Sequence, residues 1–263
     1  MTRKQAGGGK DSRPGTTEVV VRHCQTLDEF EACARLQKGV WGGADIEVVP
    51  LPLYVVAAET GGQVLGAFAG ETMAGFTLAL AGLREGKPLL HSHLTAVLEE
   101  YRNLGIGRRL KLFQRQDALG RGIELVEWTF DPLEIKNAYF NLVRLGAIAR
   151  RFLPNCYGIT TSPLHGGLPT DRLMAEWWVG SERVKRALGV SDSVGSGKDM
   201  PMERVHVPGE INDLKRTDRA RAARMQREIR ERFEDCFARG YAAMALERTR
   251  DGGDYLLGPW SPS

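Results

Sequence analysis

The chain has 263 residues, 42% hydrophobic and 26% charged, with a formal net charge of +3. This is the balance of a soluble globular chain, long enough for one large domain or one and a half, and too near neutrality for nucleic acid to be the favoured partner. No run of about 18 apolar residues is present to span a membrane, and Cys24, Cys33, Cys156 and Cys236 lack metal-type spacing, so reduced thiols, a cytoplasmic location and no metal are expected.

Residues 1–16 are rich in Lys, Gly, Ser, Arg and Pro, and read as a disordered tail. Glu18 to Arg22 is a β-branched run and reads as a first strand. Thr26 followed by Glu29 makes a capping box for a helix running to Trp41, ended by Gly42-Gly43. Val48 to Glu59 is apolar but interrupted by Pro50 and Pro52, which predicts a loop entering a short helix or strand. Val64 to Ala69 and Thr72 to Ala81, separated by Gly70-Glu71, predict a hairpin. In the next strand, Leu89 to Val97, a period of two puts His91, His93, Thr95 and Val97 on one face. Leu90, Ser92, Leu94 and Ala96 then belong to the other.

Val97 to Gly107 reads Val-Leu-Glu-Glu-Tyr-Arg-Asn-Leu-Gly-Ile-Gly and opens a helix that ends at Gly120 or Gly122. A strand, a glycine-bearing loop and a helix N-terminus together make an anion site. The first-turn N–H groups are unpaired, the macrodipole adds positive charge, and glycine lets a phosphate approach the backbone. The spacing Arg102-x-x-Gly105-x-Gly107 is neither a Rossmann nor a Walker fingerprint, which need a further glycine or a Gly-Lys-Ser/Thr ending. Along the helix, Ile106, Leu110 and Phe113 form the apolar stripe, with Arg108, Arg109, Lys111 and Arg115 on the polar side.

Ile123 to Phe130 is a further strand ended by Asp131-Pro132, with Leu125, Glu127, Thr129 and Asp131 sharing a face. A helix over Asn137 to Gly146 and a strand-like run from Ala147 to Tyr157 follow. Leu173 to Val179 predicts a strand, Arg183 to Leu188 a short helix, and Glu203 to Val207 another strand. Ala222, Met225, Ile229, Phe233 and Phe237 stripe a single long helix from about Asp213 to Arg239, with Gly240 as C-cap. Tyr241 to Glu247 and Asp254 to Leu257, joined through Arg-Asp-Gly-Gly, predict a closing hairpin. The expected organisation is a tail over 1–16, a main domain over 17–188, a flexible connection over 189–202, and a helix-plus-hairpin extension over 203–263 packed on the main domain.

Leu-Glu-Glu-Tyr-Arg-Asn-Leu-Gly-Ile-Gly-Arg-Arg-Leu resembles the strand-to-helix segment of the GNAT superfamily of acetyl-CoA-dependent N-acyltransferases, whose signature is Arg/Gln-x-x-Gly-x-Gly/Ala. The strand carrying Trp128 and the segment Asn137-Ala-Tyr-Phe-Asn-Leu-Val-Arg-Leu-Gly146-Ala resemble the same family. The resemblance covers residues 85 to 157, extends over 17 to 84 by element order alone, and matches a bacterial group of GNAT proteins of unassigned substrate. It implies an α/β fold with a mixed, mostly antiparallel central sheet flanked by helices. It also implies acetyl-CoA as co-substrate, a small-molecule or peptide amine as acceptor, and a homodimer as one allowed assembly.

The resemblance assigns cofactor contacts to Val97, Leu98, Arg102, Asn103, Leu104, Gly105, Ile106, Gly107, Arg108 and Asn137. The backbone N–H near Val97 or Leu98 would meet the thioester oxygen. His93, Glu127 and Asp131 are the ionisable groups whose strands flank the expected cleft, and one of them would act as base. The family's general-acid tyrosine stands four residues before the helix-ending glycine, where this chain has Leu142; Tyr139 lies close to one turn away and is the substitute candidate. The alternatives to catalysis are an acyl-CoA sensor on the same fold, which Leu142 favours, and an anion- or RNA-binding protein using the arginine-rich helices.

Overall fold

The computed structural model describes residues 18–42, 44, 47–161, 165–190 and 203–260. The tail expected over 1–16 and most of the connection expected over 189–202 lie outside them. One ten-stranded sheet runs through the structure in the order β1-β2-β3-β4-β5-β7-β6-β9-β10-β8. Its strands are β1 (Val19–His23), β2 (Gln63–Ala69), β3 (Thr72–Arg84), β4 (Lys87–Val97), β5 (Leu125–Phe130), β6 (Ile148–Leu153), β7 (Arg172–Trp178), β8 (Glu203–Pro208), β9 (Tyr241–Arg248) and β10 (Gly252–Pro259). Every pairing is antiparallel except β4 with β5.

Two helices cover one face of β2 to β4. The first, α1 (Leu27–Trp41), starts at the expected capping box, with Thr26 Oγ1 accepting Glu29 N–H at 3.3 Å. The second, α2 (Leu51–Glu59), is a helix throughout, because Pro52 falls in its first turn, where no intrahelical N–H is needed. Cys33 and Tyr54 from these helices are fully buried against Phe76 and Leu78. On the opposite face, α3 (Ile106–Gly120) buries Ile106 and Leu110 against Leu65. Each such buried side chain contributes about 1.5–3 kcal/mol of transfer free energy.

The β3–β4 register corrects the strand faces expected from the sequence. Ala79 pairs with Ser92 and Leu78 pairs with Leu94, so His93 is an extra residue without a partner. This bulge reverses the alternation. Leu90 and Ser92 face α3, and beyond the bulge Thr95 and Val97 join that side, whereas His91 and His93 lie on the other. Thr95 confirms the switch: its hydroxyl meets that of Thr77 at 3.0 Å, and Thr77 is the cross-strand partner of Leu65, which packs against α3.

After β5 come α4 (Ile135–Tyr139) and a widened turn over Phe140–Arg144, in which Leu145 N–H reaches back to Phe140 O at 3.0 Å. The single helix expected over 137–146 is therefore a short helix plus one π turn. Gly146 closes it with φ +76°, and a Cβ there would stand 2.8 Å from Ala187 Cβ. The helix α5 (Glu182–Leu188) then leads toward the C-terminal strands.

The long helix expected over 213–239 is two helices, α6 (Ile211–Thr217) and α7 (Arg219–Ala238). Asp218 breaks it: its backbone leaves the helical region (φ −146°, ψ 78°) and its carboxylate caps Arg221 N–H at 3.0 Å. The expected stripe of α7 is buried at Ala222, Ile229 and Phe233, and Phe233 stacks edge-on to Tyr255 of β10 at 5.0 Å. The core joining these residues to Trp128 and Trp177 is continuous.

Candidate active site

Strand β4 pairs with β5 only at Leu89 with Leu125, Leu90 with Val126 and His91 with Glu127. Beyond that rung the two strands diverge and leave a wedge between them. At its mouth lies the glycine loop, with Asn103 (φ 63°) and Gly105 (φ 76°) both in the left-handed region. The first helical bond is Arg109 N–H to Gly105 O at 3.0 Å. Among the described residues, the backbone N–H groups of Asn103, Leu104, Gly105, Ile106, Gly107 and Arg108 have no backbone acceptor. A run of open amides on a helix N-terminus suits a phosphate. Gly75 seats the loop closely: a Cβ there would stand 2.7 Å from Ala96 O and 3.3 Å from Ile106 Cγ2.

The cations beside the loop differ in their engagement. Arg108 donates to Leu188 O at 3.4 Å, and Arg109 donates to Val19 O. Arg102 is exposed, and its guanidinium has no acceptor among the described residues, so it is the cation available to a ligand. Leu98 N–H is taken by Ala74 O at 2.9 Å. Because antiparallel bonding alternates, the N–H groups of Val97 and Thr95 point away from β3 and toward the wedge. Of the two amides expected to meet a thioester oxygen, Val97 is the one whose N–H is turned away from β3.

His93 sits at the bulge, half-buried, and its ring makes no hydrogen bond among the described residues. Burial, and then the neighbouring His91 ring at 6.3 Å, push its pKa below the ordinary histidine value. At pH 7 it is a neutral imidazole able to accept a proton. Glu127 is placed differently: 7% exposed, it pairs with Arg84, with Arg151 at 3.2 Å and with His91 Nδ1 at 3.5 Å. Burial raises its pKa, but the His91 hydrogen bond and the two arginines outweigh this and hold it below the usual carboxylate range. Asp131 caps the turn after β5, accepting Leu133 N–H at 2.8 Å, and lies 3.6 Å from Lys215 and 3.8 Å from Arg172. Tyr139 turns toward β9, its ring 4.4 Å from the Arg248 guanidinium, while Leu142 is buried in the core. Asn137 is exposed on α4 and accepts from Asn141 Nδ2 at 3.4 Å.

Sequence reasoning missed one wall of the site. The segment between β6 and β7 is tied to the α1–α2 connection by Thr161 N–H on Glu47 Oε1 (2.8 Å), and to α7 by Gln226 Nε2 on Pro169 O (2.8 Å). It places Tyr157 OH 2.7 Å from Thr129 Oγ1 of β5, and His165 between Thr160 Oγ1 (2.6 Å) and Arg172 Nη2 (2.7 Å). Burial, and then Arg172, lower the His165 pKa. The Gly and Pro of this segment are those of a loop, but nothing in their spacing shows where it folds.

Lys111 was also misread, as a polar-side residue. It is 4% exposed and lies between Ser92 Oγ (2.8 Å), Gln114 Oε1 (3.0 Å) and the face of Trp128 (3.9 Å to the ring centre). The signal was available: Lys111, Gln114 and Ala118 share a helical face, and all three are buried.

A mostly antiparallel sheet whose one parallel pair opens into a wedge, with an open-amide loop entering a helix at its mouth, is the GNAT arrangement, and the chain has the GNAT-type fold. Among solved structures it is similar to FeeM, an N-acyl amino acid synthase from uncultured soil microbes, at 16% identity over 66% of this chain and 98% of that one, with a TM-score of 0.50. The ribosomal-protein-S18-alanine N-acetyltransferase from Escherichia coli is similar at 14% identity over 62% and 96%, with a TM-score of 0.49. A protein from Desulfovibrio desulfuricans assigned to the GNAT family of acetyltransferases gives 16% identity over 62% and 99%, also at 0.49. No protein-family profile matches the sequence, and no curated protein matches it. The likeness is one of fold.

Proposed function

We propose that the protein transfers an acetyl group from acetyl-CoA to an amine, with His93 as the base. The observation that supports this most is the wedge itself: open amides from Asn103 to Arg108 at its mouth, the Val97 N–H turned into it, and a neutral, unpartnered imidazole at its β4 wall. The cofactor's pyrophosphate would rest on the loop amides with Arg102 beside it, and Val97 N–H would stabilise the oxyanion that forms on attack. His93 would take the proton the amine must lose. Glu127 and Asp131 are held in ion pairs and serve the architecture. The wall carrying Tyr157, His165 and Arg172 borders the face from which an acceptor would approach.

The test is acetyl transfer from acetyl-CoA across amino acids, peptide N-termini and small amines, read as release of free thiol. Turnover on one class carries the proposal. Calorimetric acetyl-CoA binding without turnover on any acceptor would instead favour the sensor reading, which Leu142 at the usual tyrosine position supports.

A further inference from the structure

Amine acylation releases a thiolate, and the position from which this fold's tyrosine would protonate it holds Leu142, which is buried and apolar. Lys111 Nζ lies at the base of the wedge. Its partners Ser92 and Trp128 are the first residues on β4 and β5 beyond the last paired rung, His91 with Glu127. A chain threaded between the strands must stop there, because below that rung they are paired.

Lys111 is unusual among the buried cations. The other buried lysine among the described residues, Lys215, has Asp131 and Glu134 within 3.6 Å. No carboxylate among the described residues comes within ion-pair distance of Lys111, whose neighbours are a hydroxyl, an amide oxygen and an indole face. A buried ammonium without a counter-charge is costly, and an apolar side chain of similar size would pack there at lower cost. What helps to hold the charge is a line of amide dipoles. Gln114 Nε2 donates to Gln63 Oε1 at 3.0 Å, and Gln63 Nε2 donates to Asp117 Oδ2 at 2.6 Å. Asp117, beside His23 (3.3 Å) and Arg121 (3.4 Å) near the surface, thus orients Gln63 and Gln114 so that an oxygen faces the lysine.

Building on the acyl-transfer reading, we propose that Lys111 is the proton donor to the departing CoA thiolate. The amine nitrogen bonds to the thioester carbon and the carbon–sulfur bond breaks. Sulfur leaves with the bonding pair and takes a proton from Lys111 Nζ, while His93 takes the proton released by the amine. Water then carries a proton from His93 back to Lys111, and the balance closes. Burial lowers the Lys111 pKa to about 7, which suits a group that must give up its proton at neutral pH.

The test needs no acceptor. Free CoA is bound to the full chain, and its thiolate absorbance near 240 nm is titrated in the wild type, Lys111→Met and Lys111→Gln. An ammonium facing the sulfur couples the two titrations, so the wild-type thiolate absorbance should show a partial step near the lysine pKa of about 7 that both variants lack. Both variants should melt at or above the wild-type temperature, because they remove an uncompensated buried charge. Identical thiol titrations in wild type and variants would overturn the proposal, as would the unfolding of both variants, which would make Lys111 a structural requirement. Failure of the wild type to bind CoA would instead remove the cofactor placement beneath it.

Discussion

Glu127→Gln separates two roles that sequence position alone left open for this residue. The carboxylate is 7% exposed and holds Arg84, Arg151 and His91 together where β4 and β5 still pair. Removing one partner of a buried pair costs about 3–5 kcal/mol. Arg84 and Arg151 are 30% and 42% exposed, so water recovers part of this, and about 2 kcal/mol is the expected loss. For a chain of this size that lowers Tm by roughly 4–8 °C. Its pH dependence follows from the lowered pKa. The stabilisation is present above the carboxylate's unfolded pKa and is lost as pH falls through its lower folded value. Differential scanning calorimetry should therefore show the gap between wild type and Glu127→Gln at pH 7, and its closure in strong acid. Turnover on an identified acceptor should stay within about threefold at 25 °C. A fall in kcat of ~10²–10⁴ with unchanged Tm would refute the structural reading and make Glu127 the base.

His93→Ala should lower kcat by ~10²–10⁴ with acetyl-CoA affinity nearly unchanged. The wild-type rate should rise with pH through an imidazole pKa below the ordinary histidine value, and pH–rate profiles of both proteins would show whether that rising limb belongs to His93. Gly107→Val should abolish calorimetric CoA binding with little loss of Tm, because a Cβ there meets only Val97 Cγ2 at 3.9 Å on the inner side; equal affinity would refute the loop assignment. A chain ending at residue 202 should aggregate or melt well below the full chain, since it uncovers the partners of Phe233 and Tyr255 in the shared core; equal stability by light scattering and calorimetry would contradict this.

The elements most legible in the sequence were those whose signals are local. The Thr26–Glu29 box, the hairpins and the glycine loop all depend on contacts within a few residues. Reading failed where one residue changed the frame. Asp218 is an ordinary polar residue by helical periodicity, yet as a cap it divides α6 from α7. His93 fits a period of two and breaks it only because β3 supplies no partner. Lys111 carries a charge, and charge argues for solvent until its helical phase beside Gln114 and Ala118 is weighed. The β6–β7 wall is set by bonds from Thr161 to Glu47 and from Gln226 to Pro169, across sequence separations that no local pattern records.

The bulge at His93 makes the site sensitive to the count of residues as well as to their kind. Loss of His93 would close the bulge and leave Leu94 on Leu78 and Val97 on Gly75, whereas loss of Thr95 or Ala96, with the bulge kept, would turn every side chain beyond it to the other face. Val97 would leave α3, and the Val97 N–H would turn back into the β3 ladder, even though the loop from Arg102 to Gly107 kept its sequence intact. Tolerance in this stretch should therefore be asymmetric. Substitutions at Leu94 or Ala96 would change packing by degrees, whereas a one-codon deletion between Leu94 and Val97 would separate the anion-binding loop from the wedge it serves.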